Sequence, residues 1–300
     1  MTTWQHIIQC PIDRQPVHVG PDGVYRCAAC GFAAPLVQIG GRTIPDFRAE
    51  NTPQTVSLTF QLPTRSLDRA QVVREYFRAP QADFPHLSLA ELGVKFGTKL
   101  DKGIQFYAQQ LLRESGPEAP ILDLGCGKGG NRRYLESLGF RRVVTVDWWA
   151  DGADVLADAH RLPFPDHAFR MVISTAVFEH LYNPFLAMHE VSRVLDDRGC
   201  FMGGASFWEA WHASSAFHLS PDGWNALLAQ NNLTLRDLWI GWGIIPAALS
   251  HVLTPGHLRR FGYWAQRMVE GGYRLLRGEE AVRKLQLRAS GSYIIYATRP

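Results

Sequence analysis

From residue 120 to the end of the chain, short apolar runs alternate with amphipathic stretches. Ile121-Leu122-Asp123-Leu124 is an apolar run that meets glycines, residues 131–138 read as a helix, and Gly139 is its stop. Residues 142–147 form a second apolar run ending at Asp147, and residues 171–175 a later one. Pro184 sits in the first turn of a helix running to Leu195, residues 201–205 begin another strand, and Ser220-Pro221-Asp222 caps a helix through Gln230. Residues 235–242 and 292–298 supply the last strands. Such alternation predicts an α/β domain with a parallel sheet covered by helices on both faces.

The first 115 residues read differently. Residues 1–48 are rich in turns, with short β-like runs at 24–26 and 36–39, and predict a small β-ribbon module. Residues 49–65, with Pro53 and Pro63, read as a linker, and 66–115 as mostly helical, interrupted at Pro80, Pro85 and Gly93. The expected organisation is therefore a module over 1–48, a linker and helical cap over 49–115, and the α/β domain over 116–300. Within that domain, residues 243–290 form an insertion before the last strand. There Leu249, Val252, Leu253, Leu258, Phe261, Trp264 and Met268 recur at helical spacing among Arg259, Arg260, Arg267, Arg274 and Arg277.

Composition narrows the class. The chain has 300 residues, 46% of them apolar and 20% charged, with a net charge of +3. That length suits one large domain plus a small accessory module. The balance lacks the basic excess of a sequence-independent nucleic-acid binder. No apolar run reaches the roughly 20 residues of a membrane helix, and the N-terminus lacks a signal-peptide pattern, so a cytoplasmic protein is expected. Five cysteines argue against a disulfide framework. Cys126 and Cys200 stand alone in apolar surroundings, as buried free cysteines do.

The chemistry concentrates in Asp123-Leu-Gly125-Cys126-Gly127-Lys-Gly129-Gly130. Glycines at a strand-to-helix turn let the backbone approach a ligand that side chains would exclude. Asp147 ends the next strand, 20 residues after Gly127, where an acid accepts hydrogen bonds from ribose hydroxyls. Gly125, Gly127 and Gly130 also satisfy the dinucleotide pattern G-x-G-x-x-G. However, Asp123 lies two residues before the first glycine, where it would repel a pyrophosphate and attract an ammonium.

The blocks that follow are Asp158-Ala-His-Arg-Leu-Pro-Phe-Pro-Asp-His-Ala-Phe169, Met171-Val-Ile-Ser-Thr-Ala-Val-Phe-Glu-His-Leu-Tyr-Asn-Pro184 and Glu190-Val-Ser-Arg-Val-Leu195. With the glycine turn they resemble the class I S-adenosylmethionine-dependent methyltransferases, in particular the type 11 group, over about residues 118–235. The resemblance implies a doubly wound, Rossmann-like, seven-stranded sheet. It implies a cofactor site of Asp123, Gly125, Cys126, Gly127, Asp147, Trp148, Asp158, Ala159 and Thr175. The glycine turn would hold the methionine part, Asp147 the ribose, and Asp158 the adenine amine beside the Ala159 backbone. Asp158 also reads as a simple turn cap, and Trp148 either stacks on adenine or belongs to the core. One departure stands out: only residues 148–153 separate Asp147 from the expected third strand at Asp154. A crossover with a helix needs about 10–12 residues, so the second helix must be missing or reduced to a turn, with Trp148 and Trp149 walling the pocket.

For the acceptor, a base is required only where the nucleophile must lose a proton. Candidates are His180, His212, His218 and Glu209, with His180 and His218 preferred as catalytic residues. His180 also reads as a structural residue under the cofactor, and the aromatic segment 207–218 as a packed surface loop. The insertion reads either as a helical lid suited to an anionic or lipid-like acceptor, with peripheral membrane contact, or as an amphipathic pair with a solvated basic face.

Cys27-Ala-Ala-Cys30-Gly31 forms a zinc knuckle, whose partner would begin at Cys10-Pro11, with Asp13 where a second cysteine is expected. The stretch resembles the Trm112-like zinc ribbon, including the tail Gly41-Arg-Thr-Ile-Pro-Asp-Phe47. Either Cys10, Cys27 and Cys30 hold zinc with Asp13, His6 or His18 as fourth ligand, or the module folds without metal. The leading function is methyl transfer to oxygen or nitrogen of a small or medium acceptor: a natural product, sugar or lipid-linked intermediate. Base methylation of ribosomal or transfer RNA is the main alternative, disfavoured by the modest charge. A non-catalytic cofactor-binding scaffold is the third. The sequence leaves the acceptor and the oligomeric state open.

Overall fold

The computed structural model describes residues 4–48, 93–96, 100–210, 212, 215–252 and 256–300. The linker expected at 49–65 and the helical reading of 66–92 lie outside the described residues.

The N-terminal module holds a three-stranded antiparallel sheet of β1 (Val17–Val19), β2 (Tyr25–Cys27) and β3 (Ala33–Ala34), then a hairpin of β4 (Leu36–Ile39) and β5 (Arg42–Pro45). The main sheet contains β6 (Gly93–Phe96), β7 (Ile121–Leu124), β8 (Val143–Asp147), β9 (Val155–Leu156), β10 (Phe169–Thr175), β11 (Leu195–Ser206), β12 (Thr234–Gly243) and β13 (Ser290–Thr298). Their spatial order is β9-β8-β7-β10-β11-β13-β12-β6. All pair in parallel except β13, which is antiparallel to both β11 and β12. The seven expected strands form the doubly wound sheet, and β6 adds an eighth at its edge. Residues 93–96 thus depart from the helical reading of 66–115. Their pairing with Asp237–Ile240 satisfies backbone groups that the edge of β12 would otherwise leave open.

Helices cover both faces. Alternate residues of each central strand point to opposite sides. Ile121, Met171 and Ile173 pack with Ile104, Tyr107 and Leu111 of α1 (Leu100–Ser115) and Leu135 of α2 (Gly130–Ser137). Leu122, Leu124 and Val172 pack with Met188 and Val191 of α3 (Pro184–Val194) and with Trp224 and Leu228 of α4 (Pro221–Ala229). Asn183 caps α3 by accepting the Leu186 N–H, and Ser220 caps α4 by accepting the Gly223 N–H. Helices α5 (Ile244–Val252), α6 (Gly256–Arg277) and α7 (Glu279–Arg288) run between β12 and β13.

No helix stands between β8 and β9. The N-terminal module packs at this edge instead. Ile44 of β5 joins Cys126, Ala153 and Leu156 in one apolar cluster. Asp46 pairs with Leu156 in parallel, the Phe47 N–H donates to the Leu156 carbonyl at 2.8 Å, and the Arg42 guanidinium donates to the Asp151 carbonyl. Trp4, Tyr25 and Phe47 continue the core of the sheet into the module.

The block 158–195 is tied by one buried ion pair. Arg193 donates to both carboxylate oxygens of Glu190 at 2.8 and 2.7 Å and to the carbonyls of Leu162 and Phe164. Glu190 also accepts the Leu162 N–H at 2.8 Å. The pair fixes the loop after β9 against α3. Arg193 also donates to Asp166 at 2.8 Å, so removing Glu190 leaves the buried guanidinium partly compensated and costs up to about 3–5 kcal/mol. Glu190→Ala should lose stability of that order in urea unfolding; a loss below about 1 kcal/mol would show that Arg193 finds other partners.

Candidate functional site

Beyond the carboxyl ends of β7, β8 and β10 lies a cavity of about 570 Å³, within the range of small-molecule sites. It is lined by Leu124, Gly125, Gly127, Asp147, Trp148, Ala157, Asp158, Ala159, His160, Ala176, Val177, His180, Leu181 and Tyr182. The strand order reverses between β7 and β10, where open α/β sheets bind ligands.

The floor is the turn after β7. Gly125 has φ +77°, and a Cβ there would stand 2.1 Å from Val177 Cγ2. No other residue fits without moving the wall contributed by the segment after β10. Gly152, in the short connection after β8, lies on the same turn, since a Cβ on it would meet the Gly127 carbonyl and the Gly129 nitrogen at 2.4 Å. The backbone itself therefore forms the floor.

Asp147 ends β8 and lines the cavity. Its Oδ2 accepts the Gly127 N–H and its Oδ1 the Trp149 N–H, each at 2.9 Å. Each oxygen keeps a further lone pair for a ligand hydroxyl. Asp158 accepts both the His160 N–H, at 2.9 Å, and the ring Nδ1–H of His160, at 2.6 Å. It holds its turn and also lines the cavity. The Nε2 of His160 accepts the Asn183 N–H, which assigns the neutral ring tautomer. Tyr182 stacks on His160 with centroids 4.0 Å apart. Trp148 is 56% exposed, which removes the core reading. The guanidinium of Arg48, itself paired with Asp46, sits over the rings of Trp148 and Trp149 at 5.1 and 4.9 Å. Trp148 lines the cavity and Trp149 does not.

The remaining expected residues divide. Ala159 lines the cavity. Cys126 turns its side chain into the cluster under β5. Thr175 ends β10 without lining the cavity. Ala176 follows with φ +56°, an uncommon conformation for a residue with a Cβ, and its N–H is held by the Gly204 carbonyl. This bend brings Val177 and His180 to the cavity wall. His180 lines the cavity, and its ring meets that of His212 edge-on at 5.5 Å. His218 is exposed, with Nδ1 on the Phe207 carbonyl at 3.0 Å, and does not line the cavity. Glu209 accepts from the Ser206 hydroxyl at 2.7 Å. His160, Leu181 and Tyr182 were not anticipated. The D-x-H spacing at 158–160 was the available signal for His160.

In the N-terminal module, Cys10, Asp13, Cys27 and Cys30 bring one ligand atom each to within 4.8 Å of one another. Cys27 Sγ lies 3.4 Å from both Asp13 oxygens, and Cys10 Sγ 3.5 Å from Cys30 Sγ. Three sulfurs and a carboxylate are a donor set that suits tetrahedral zinc. His6 and His18 are outside the cluster.

Asp123 is fully buried on the opposite side of β7. Asn131 donates to its Oδ1 at 2.9 Å, and Oδ2 has no partner. Burial raises its pKa to about 6; the Asn131 hydrogen bond opposes this and the charge of Asp147 adds to it. An ordinary aspartate titrates near 3.9. With the folded value raised, the carboxyl contributes stability that is whole below about pH 4 and is lost as pH rises through about 6. Ligand-free Asp123→Asn should therefore be more stable than the parent chain at pH 8, by about 1–3 kcal/mol, with the gain vanishing near pH 4. A gain independent of pH in urea titrations would rule out this assignment.

Residues 122–203 match a family model described as a methyltransferase domain. No curated protein sequence matches the chain. Among solved structures, the chain is similar to the [4+2]-cyclase SpnF, at 13% identity over 76% of this chain and 93% of that one, with a TM-score of 0.45. It is also similar to a chain from the complex between the Haloferax volcanii Trm112 methyltransferase activator and a methyltransferase, at 20% identity, 67% and 93% coverage and a TM-score of 0.44. A third is Burkholderia thailandensis 1,6-didemethyltoxoflavin-N1-methyltransferase with bound substrate and S-adenosylhomocysteine, at 14% identity, 65% and 77% coverage and a TM-score of 0.41. The likeness of this chain to a methyltransferase domain thus rests on residues 122–203, which hold β7 to β10, α3 and most of β11.

Proposed function

We propose that this chain transfers a methyl group from S-adenosylmethionine to an oxygen or nitrogen of a small or medium-sized acceptor, of the natural-product, sugar or lipid-linked kind. The observation that carries this reading is the convergence of Gly125, Gly127, Asp147 and Asp158 on one cavity at the ligand end of the sheet. The bound cofactor supplies a methyl group already activated on a sulfonium. The bare turn at Gly125 and Gly127 admits its aminoacyl part. The unpartnered oxygen of Asp123, beneath that turn, gives the floor a negative field suited to an ammonium. Asp147 holds the ribose hydroxyls with its spare lone pairs. Asp158 and the Ala159 backbone face the adenine edge, with Trp148 at the rim. The chain's remaining task is to orient the acceptor. His180, at the cavity wall, stands where the acceptor loses its proton; His218, tied to a carbonyl in solvent, takes no part.

In the N-terminal module, Cys10, Asp13, Cys27 and Cys30 hold a structural zinc ion in this reading. Its effect is to brace the hairpin that packs on β9.

Titration calorimetry of the full chain with S-adenosylhomocysteine tests the donor site. The parent chain should bind, and Asp147→Ala should weaken binding at least tenfold by removing the ribose contact. Heat with NAD but none with S-adenosylhomocysteine would overturn the reading.

The acceptor is amphiphilic in this reading, because of α6. Trp264 and Met268 are more than half exposed, and Leu275 and Leu276 are 90% and 82% exposed. Residues 256–288 carry eight Arg or Lys against three Glu. An apolar stripe beside cationic positions is the pattern of an interfacial helix. The chain should float with vesicles rich in anionic lipid and not with purely zwitterionic ones, and Trp264→Ser with Leu275→Ser should abolish flotation. Concentration-dependent dimers lost in the same double variant, without flotation, would assign the stripe to a second copy instead.

A further inference from the structure

Beside the cavity, at the start of the segment after β10, Glu179, His180 and His212 each bring one ligand atom to within 4.8 Å of the others. Glu179 is 1% exposed. Its Oε1 accepts the N–H and the hydroxyl of Ser206 at 3.3 and 3.1 Å, while its Oε2 is buried with no hydrogen-bond partner. His180 Nδ1 is likewise buried and unpartnered. His212 turns its Nδ1 to the Ala210 carbonyl at 2.9 Å. That contact places the ring proton on Nδ1 and leaves the Nε2 lone pair available, the outer-shell arrangement of metal-bound imidazoles. Buried polar atoms are nearly always paired, so two orphans in one three-residue cluster point to a missing partner.

We infer that Glu179, His180 and His212 form a divalent transition-metal site at the acceptor end of the cavity. Two imidazoles and one carboxylate, with the remaining positions open, are a donor set that takes Zn²⁺, Co²⁺ or Fe²⁺. Ligands about 2.1 Å from an ion at tetrahedral angles lie about 3.4 Å apart, and the three ligand atoms now lie within 4.8 Å of one another, so the side chains close by up to roughly 1.4 Å on binding. The site rests on these side chains alone; its role rests on the methyl-transfer reading above. An acceptor hydroxyl bound at an open position gives up its proton to solvent more readily, because the ion stabilises the oxyanion. The oxyanion's electron pair then forms the bond to the methyl carbon as the carbon–sulfur bond breaks, and that bond's pair stays on the neutral thioether. No redox step is involved. His180 acts here as a ligand.

Cobalt titration of the full chain, followed by absorbance, separates this site from the cysteine cluster. Cobalt on thiolates gives intense near-ultraviolet charge-transfer bands, and cobalt on nitrogen and oxygen gives only weak visible bands. The expected result is an equivalent of Co²⁺ without thiolate bands. His212→Ala should weaken its uptake at least thirtyfold while leaving the thiolate bands and S-adenosylhomocysteine binding unchanged. Glu179→Gln should do the same if it folds; His212 is only half-buried, so its variant keeps the test open if Glu179→Gln does not. Uptake confined to the thiolate site, or a nitrogen–oxygen equivalent unmoved by His212→Ala, would overturn the proposal. Because S-adenosylhomocysteine binding is measured without cobalt, a failure of the metal site is distinguishable from a failure of the donor site.

Discussion

The N–H of Gly127 and the carboxylate of Asp147 meet at 2.9 Å, and this hydrogen bond joins the two strands that make the cavity floor. It holds the turn after β7 open and flat. It also fixes the rotamer of the acid that ends β8, with the Trp149 N–H holding the other oxygen. A turn with a side chain at Gly125 would collide with Val177, and a connection without Gly152 would be lifted off the same turn. The cavity thus depends on a stack of backbones with almost no side chains between them, a geometry tolerant of a bulky ligand and intolerant of substitution.

The edge at β9 shows how the fold compensates for a shortened crossover. A helix between β8 and β9 would cover Ala153 and Leu156 and satisfy the outer edge of β9. Here the N-terminal module does both. Ile44 supplies the apolar cover, and the Phe47 N–H and the Asp46 bridge continue the ladder. Arg132 of α2 braces the same corner by donating to Asp154 at 2.7 Å and to the Val143 carbonyl. The aromatic residues Trp4, Tyr25 and Phe47 are buried in the core shared with the sheet, so the module is an integral wall of the domain. Its Arg48 reaches the cavity rim by stacking on Trp148 and Trp149. The hairpin thus runs from the cysteine-bearing module to the rim of the cavity.

The opposite wall is built by unusual local geometry. The left-handed Ala176 turns the chain sharply off β10, after which Val177 closes on Gly125 and His180 faces the cavity. Glu179, one residue earlier, is buried between His180 and Ser206, whose hydroxyl it accepts. Its carbonyl also receives the N–H groups of Ala216 and Phe217, which draws the aromatic segment after β11 over this end of the sheet. This wall is thereby assembled from β10, β11 and the segment that follows.

Much of this was legible in the amino-acid sequence. Strand–helix alternation, the glycine turn, Asp147 and the blocks at 158–169 and 171–195 depend on local periodicity and short-range turn chemistry, which the chain writes directly. So does Asp158, which holds its turn and lines the cavity. What needed the tertiary structure was every decision made by residues far apart in the chain. The sequence could not say that Asp13 completes the cysteine cluster, that the hairpin 36–45 replaces a helix, or that residues 93–96 pair with β12. Nor could it separate His180, which lines the cavity, from His218, which does not. Periodicity reports which face of an element is apolar, whereas contacts between distant segments are fixed only when packing chooses among the surfaces that periodicity leaves available.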